Sequence, residues 1–187
     1  LKDKYNFTRI FSSNHIASGK KCHFVDLTKI TQVKTLARDL SNENIEAVIH
    51  LASRIASPDS IGDMSIFKDN ISITENMALL INKLRPQLLI HFSSMAVYPN
   101  VSGCYSEENL PMPQKNNDCL YGLSKIASEV LLDFFLLKED IRIVHLRVAQ
   151  VYGEGMRQDR IIPVMQKELD QKNTITVYGN GERQSCF

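Results

Sequence analysis

At 187 residues, 43% hydrophobic and 23% charged, the chain has the make-up of one domain with a substantial core, or of one domain and part of another, and not of a disordered segment. Its 22 basic and 21 acidic side chains are interspersed, with no basic stripe for nucleic acid and no polybasic tail for a membrane, so the expected partners are small molecules or protein. No apolar run reaches the length of a membrane span, nothing at the start resembles a signal peptide, and Cys22, Cys104, Cys119 and Cys186 form neither a CxxC pair nor a compact disulfide framework, which fits a reducing, cytoplasmic setting.

Along the chain, short apolar runs alternate with longer segments of helical period, the pattern of a parallel sheet covered by helices. Residues 20–27 (KKCHFVDL) predict a strand. Residues 28–40 (TKITQVKTLARDL) predict a helix with Ile30, Val33, Leu36 and Leu40 on one face. A second strand is expected at 46–53 (EAVIHLAS), and after a loop a long helix runs to a stop at Pro86. Residues 87–94 (QLLIHFSS) read as a third, buried strand. A polar, proline-bearing loop at 98–118 then delivers the chain to a helix that opens with YGLSK at 121–125. A fourth strand is expected within 140–153 (DIRIVHLRVAQVYG), a helix near 161–171, and a final strand within 173–179 (NTITVYG). The chain opens on Leu1 rather than Met and closes on GERQSCF without a turn or cap, as a fragment would.

In such a sheet ligands bind beyond the carboxyl ends of the strands, which here finish in small or hydroxyl-bearing residues: VDL, HLAS, FSS and RVAQVYG. Tyr121 and Lys125 stand four apart, so on a helix the phenol and the ammonium share a face. A cation favours phenolate over phenol, so Lys125 would draw the Tyr121 pKa down from its ordinary value of ~10 toward the range of proton exchange at neutral pH. His50, His91 and His145 lie inside apolar runs without ligand spacing and are expected in the core or at strand ends rather than on zinc.

Five stretches, in order over nearly the whole chain, resemble landmarks of the extended short-chain dehydrogenase/reductase family, the NAD(P)-dependent nucleotide-sugar epimerases, dehydratases and reductases. They are VIHLAS, HFSSMAVY, YGLSK, LRVAQVYGEGMR and ITVYGNGERQSCF. The resemblance implies an NAD(P)-binding Rossmann fold, a doubly wound parallel sheet in a three-layer αβα sandwich, with residues 1–153 as an incomplete cofactor domain and 154–187 as the start of a substrate region. It implies Tyr121 as the acid/base, Lys125 as the residue holding the nicotinamide ribose, and Ser94 as the hydrogen-bond partner of the substrate oxygen. It likewise places Asp26 and Leu27 near the adenine, Leu51, Ala52 and Ser53 along the dinucleotide, Asn70 and Val151 near the cofactor, and Gln150 toward substrate. Asp26 has a competing use as the cap of the helix after Thr28. Family helices of this kind pair into a four-helix interface, and the apolar residues Ile126, Val130, Leu131, Phe134 and Phe135 therefore imply a homodimer.

The sequence departs from the family pattern in three places. No strand-GxxGxxG-helix segment is present and the earliest glycine is Gly19, so the usual backbone cradle for the pyrophosphate is missing. Where family dehydratases carry an acidic pair after the catalytic hydroxyl residue, this chain has Met95 and Ala96, which transfer no proton. Where many relatives carry Arg-Asp-Phe, it has Ser185, Cys186 and Phe187, with Arg183 as the nearest replacement for a phosphate-binding arginine. Epimerisation or carbonyl reduction of a nucleotide-sugar is the expected activity, and a non-catalytic Rossmann-like binding domain is the alternative. The cofactor stays open between NAD and NADP: residues 8–14 (TRIFSSN) offer no acidic residue for a ribose, and Arg9, Lys20 and Lys21 lie near.

Overall fold

The structure is a computed structural model describing residues 6–12, 22–55, 62–115 and 118–177. The chain divides into two compact units, Leu1–Arg147 and Val148–Phe187.

In the first unit, β1 (Arg9–Phe11) pairs in parallel with β2 (Cys22–Phe24), with Ile10 opposite His23, and the Phe11 and Phe24 rings lie 6.2 Å apart. Helix α1 (Ile30–Asp39) buries Val33, Leu36 and Ala37, and Leu40 closes the same face at its C-cap. Ile30, expected on that face, is 40% exposed because it is the first helical residue and precedes the core contact. Strand β3 (Ala47–His50) pairs in parallel with β4 (Leu88–Ser94), Val48 opposite Leu89 and His50 opposite His91. Between them runs α2 (Met64–Leu84). It is capped by the Asp63 carboxylate, which accepts from Ser65 N at 2.8 Å, and it ends at Arg85 in the left-handed region (φ 47), just before Pro86. Helix α3 (Cys119–Phe135) follows the long loop, and β5 (Arg142–Val148) completes a sheet of order β3-β4-β5.

The core joins all three helices to the strands through Leu36, Leu80, Ile81, Leu89, Leu132 and Leu136, each worth about 1.5–3 kcal/mol in removed apolar surface. Side chains alternate along β4, so Leu89, His91 and Ser93 turn inward together. On the opposite side of the pleat, Ile49 of β3 is 51% exposed. Helices α2 and α3 meet along hydroxyls rather than methyls. Thr74 Oγ1 and Ser128 Oγ are 2.6 Å apart, one donating to the other while the acceptor's own proton goes to a carbonyl of its helix, Asn70 O or Ser124 O; Asn70 Nδ2 donates to Ser124 Oγ at 2.9 Å, and Ser124 Oγ donates to Tyr121 O. Short side chains let the two helices approach, and the paired polar atoms escape the penalty of unsatisfied burial.

In the second unit, α4 (Ile161–Lys172) ends at Asn173 in the left-handed region (φ 51). The strand expected at 173–179 is not formed over 174–177: Thr176 N and Oγ1 both donate to Glu168 of α4, which turns the segment back along the helix instead of freeing its backbone for a sheet. Residues 178 and 179 lie outside the described residues. Among the described residues no helix is long and apolar enough to cross a membrane.

Candidate active site

Strand β4 ends in extended backbone at Ser94 (φ −154, ψ 151), whose Oγ accepts from Ala96 N at 3.1 Å and so starts the 3-10 turn at Met95–Val97. The first turns of α3 sit on this strand end through two contacts. Lys125 Nζ donates to Phe92 O at 2.7 Å, two residues before Ser94. Gly122 meets the backbone two residues after it: a Cβ there would lie 2.1 Å from Ala96 O and 2.8 Å from Pro113 Cβ. Only glycine permits that approach. The helix therefore straddles Ser94, and Tyr121, beside Gly122, is set by the same contact.

Lys125 is 3% exposed, and its ammonium lies 5.8 Å from the centroid of the Tyr121 ring. Burial pushes its pKa down to about 8, opposed by the charge of Glu129 one turn along the helix. One of its three N–H groups is held by Phe92 O, leaving two for a ligand. The Tyr121 carbonyl is fixed in turn by Ser124 Oγ at 2.7 Å.

Around this centre the interior is polar. Arg147 of β5 presents its guanidinium to Glu129 in a fork, Nη2 to Oε2 at 2.9 Å and Nε to Oε1 at 3.2 Å. The hydrogen bonds that Glu129 accepts raise the Arg147 pKa, burial opposing them. Arg147 Nη1 also donates to Tyr98 Oη at 2.8 Å and to Glu107 O at 3.2 Å, while Tyr98 Oη donates to Ser106 O. Across the strands the three histidines form a line. His50 stacks on His91 (centroids 5.4 Å), His91 Nδ1 meets His145 Nδ1 at 3.0 Å, and His145 Nε2 meets Asp133 Oδ1 at 3.0 Å. A carboxylate only accepts, so with His145 neutral its Nε2 donates to Asp133 and its Nδ1 accepts from His91. Burial, and then the Lys125 charge, holds His50 at about 3. Burial, then His50 and Lys125, holds His91 at about 2.

The remaining sequence-derived positions fall into three groups. Asp26 closes a turn rather than capping α1: its Oδ1 accepts from Thr28 N and Oγ1 at 2.9 and 2.7 Å, the Thr28 hydroxyl foremost holding its pKa below the ordinary carboxylate value, and the helix N-cap is Lys29. Leu27 O accepts from Asn76 Nδ2 of α2 at 2.7 Å. Leu51 and Ala52 lie exposed past the end of β3, and Ser53 is half-buried. Asn70 is buried with its amide occupied: Oδ1 accepts from Arg54 N at 2.7 Å, and Nδ2 donates to Arg54 O and Ser124 Oγ. It ties the loop after β3 to α3. Gln150 and Val151 are exposed residues of the second unit, and Arg183 lies outside the described residues.

Gly122, Glu129, Arg147 and Asn70's link to Arg54 were not singled out in the sequence as parts of this arrangement. A signal existed for the first: a glycine inside a helix costs about 1 kcal/mol against alanine and needs a packing reason.

The sequence matches the NAD dependent epimerase/dehydratase family over residues 2–185. It is 27% identical to the dTDP-4-dehydro-6-deoxyglucose reductase of Escherichia coli over 166 residues, 85% of this chain and 51% of the relative. It is 26% identical to the UDP-glucose 4-epimerase of Mycoplasma pneumoniae over 167 residues, 84% of this chain and 48% of the relative. The fold is similar to that of UDP-glucuronic acid 4-epimerase from Bacillus cereus, solved with UDP-glucuronic acid and NAD, with a TM-score of 0.67 at 28% identity over 86% of this chain and 49% of that one. The chain thus spans about half the length of these relatives. With the motifs in order, the α/β Rossmann architecture and a family match across almost every residue, this chain belongs to the NAD-dependent epimerase/dehydratase family.

Proposed function

We propose that this chain carries the catalytic half of an NAD(P)-dependent enzyme that epimerises or reduces a nucleotide-sugar, with Tyr121 as acid/base, Lys125 as its cationic partner and Ser94 as the donor to the reacting oxygen. The observation that supports it most is the seat of α3: Lys125 and Gly122 grip the strand on either side of Ser94, so the three groups are held by backbone contacts rather than by mobile side chains. A buried lysine with two uncommitted N–H groups beside a tyrosine suits the binding of a ribose and the stabilisation of a phenolate.

The cofactor, when bound, supplies a hydride acceptor and donor. Tyr121 takes the proton of the sugar hydroxyl as the alcohol is oxidised and returns one on reduction, while Ser94 donates to the oxygen as charge develops there. Met95 and Ala96 cannot transfer a proton, which disfavours elimination of water. Leu51, Ala52 and Ser53 offer an open strand end to the dinucleotide, Asp26 and Leu27 lie toward the adenine, and Asn70 serves by holding the loop at Arg54. Gln150, Val151 and Arg183 are assigned to the cofactor and substrate side, with 1–153 as the cofactor domain and 154–187 as the beginning of the substrate region. We assign the outward apolar face of α3 to a homodimer contact and, on its unpaired thiols Cys22, Cys104 and Cys119, place the protein in the cytoplasm.

The full-length protein that carries this chain is incubated with NAD or NADP and, separately, UDP-glucose and UDP-glucuronic acid, and with NADH or NADPH and dTDP-4-dehydro-6-deoxyglucose, to test the reading. Conversion of at least one sugar, followed by chromatography, is expected, and Tyr121→Phe should abolish it while leaving cofactor affinity largely intact. A folded full-length protein inert toward all three sugars, or its Phe variant keeping more than about a tenth of kcat, overturns it.

A further inference from the structure

Glu129 and Arg147 belong to none of the roles assigned so far, yet they stand where the site's separate pieces meet. Glu129 is 7% exposed, one helical turn from Lys125, and locked in a two-bond fork by Arg147. The same guanidinium reaches Tyr98, four residues after Ser94, and the carbonyl of Glu107 in the loop beyond. Tyr98 is buried, its ring stacked on Tyr105 and 5.3 Å from the Arg147 guanidinium carbon. One side chain therefore joins the helix of Tyr121 and Lys125 to the segment that leaves Ser94. A carboxylate and a guanidinium so buried are retained at a desolvation cost that well-packed apolar residues would not carry, so a use beyond packing is expected of them.

We propose that Glu129 and Arg147 are a positioning pair for the reaction: Arg147 fixes the distance between the Ser94 strand end and α3 through Tyr98, and Glu129 supplies the negative charge that faces the Lys125 ammonium. The proposal rests on the acid/base reading above. Among the described residues, the charged and titratable groups around Lys125 are few. Tyr121 and Glu129 come from its own helix, His50 from β3 and His91 from β4, both held neutral, and Arg147 from β5, paired with Glu129. At this level α2 contributes the uncharged Asn70 and Thr74. Glu129 is thus the anion on which Lys125 depends. Without it, burial acts unopposed, and Lys125 loses its proton and its grip on an anionic phenolate or a ribose at a lower pH.

Two variants separate the halves. For the charge, Lys125 is titrated by NMR in the cofactor-free protein carrying labelled lysine. Wild type should titrate near pH 8 and Glu129→Gln roughly one unit lower. A Lys125 titration unmoved or raised in Glu129→Gln overturns this half. Should that variant fail to fold, Glu129→Asp draws the charge back by a methylene, and it too must lower the titration. For the geometry, Tyr98→Phe removes a single hydroxyl from the clamp, and kcat for whichever sugar is turned over should fall about tenfold with KM within about twofold. An unchanged kcat makes the clamp structural only and overturns the positioning role. Tyr121→Phe run alongside keeps the two levels apart: an active Phe variant sinks the acid/base reading, whereas the Lys125 titration reports on Glu129 whatever the turnover.

Discussion

Along the inward face of α3, Gly122, Lys125, Glu129, Leu132 and Leu136 are buried at spacings of three and four residues, while on the outward face Leu123, Val130 and Phe134 are 45, 61 and 70% exposed. A helix lying on a sheet ordinarily presents the reverse, apolar inside and polar outside. Here the inward stripe is itself divided. Its C-terminal half is held by Leu132 and Leu136 in the shared core, and its N-terminal half by specific partners, Phe92 O for Lys125, the Arg147 fork for Glu129 and the Ala96 backbone for Gly122. Non-directional burial tolerates small shifts, whereas hydrogen bonds and a backbone contact do not. The half that carries Tyr121 and Lys125 is thereby the half whose position is fixed most sharply, and the apolar surface that a sheet would normally receive is left on the outside.

The largest effect expected from disturbing this division comes from Gly122→Ala. In an exposed helix interior the change would stabilise by about 1 kcal/mol. Here the new methyl meets a carbonyl oxygen at 2.1 Å, and because the obstacle is backbone, a loss of more than about 3 kcal/mol in chemical denaturation is expected. A gain in stability would mean that α3 does not rest on the Ser94 strand end as described.

Second in size is the response of the polar interior to acid. His50 and His91 titrate near 3 and 2 in the folded chain against an ordinary 6.5, so between those values the unfolded chain binds more protons. Their contribution is full above pH 6.5 and is lost as pH falls below it, each histidine by up to about 1.4 kcal/mol per pH unit, or roughly 3 kcal/mol together by about pH 5.5. Denaturant midpoints measured across that window should fall steeply, and His91→Leu should remove about half the slope. A flat profile would place both rings in contact with water.

These two effects also mark what the sequence made legible. The alternation of apolar runs and helical periods located β2, β3, β4, α1 to α4 and β5, because each carries its signal within a few residues. Strand β1 is only three residues long and shows no period of its own; it is defined by pairing with Cys22, His23 and Phe24. The strand expected at 173–179 has a good β composition, yet Glu168 takes the Thr176 donors before any strand can. At the site, the four-residue spacing of Tyr121 and Lys125 was readable and their partners were not. Gly122 answers to Ala96, Glu129 to Arg147 and His50 to His91 through strand register and helix docking, which link residues 18 to 41 positions apart in the chain. A single sequence carries no local trace of such pairs. Asp26 shows the same limit at short range: its oxygen closes a turn with Thr28 instead of capping the helix that begins at Ile30.

The smallest effect on folding, and the sharpest on assembly, is expected from the outward face. Phe134 at 70% exposure touches little of its own unit beyond the neighbouring Phe135 ring at 5.8 Å, so Phe134→Asp should change the stability of the isolated chain by no more than about 0.5 kcal/mol. If this face meets a second copy, the same substitution buries a carboxylate against apolar surface on both sides of a two-fold contact, a penalty of several kcal/mol that no dimer of ordinary size absorbs. Light scattering at micromolar concentration should then report a dimer for the unmodified protein and a monomer for Phe134→Asp, with thermal unfolding of the separated monomer still cooperative. Leu132→Asp, on the opposite face and fully buried, is the contrast: it should collapse the core rather than divide the assembly. A mass unaffected by Phe134→Asp would remove the outward stripe from the contact and leave its apolar residues as plain surface, with the inversion of α3 explained by its inward half alone.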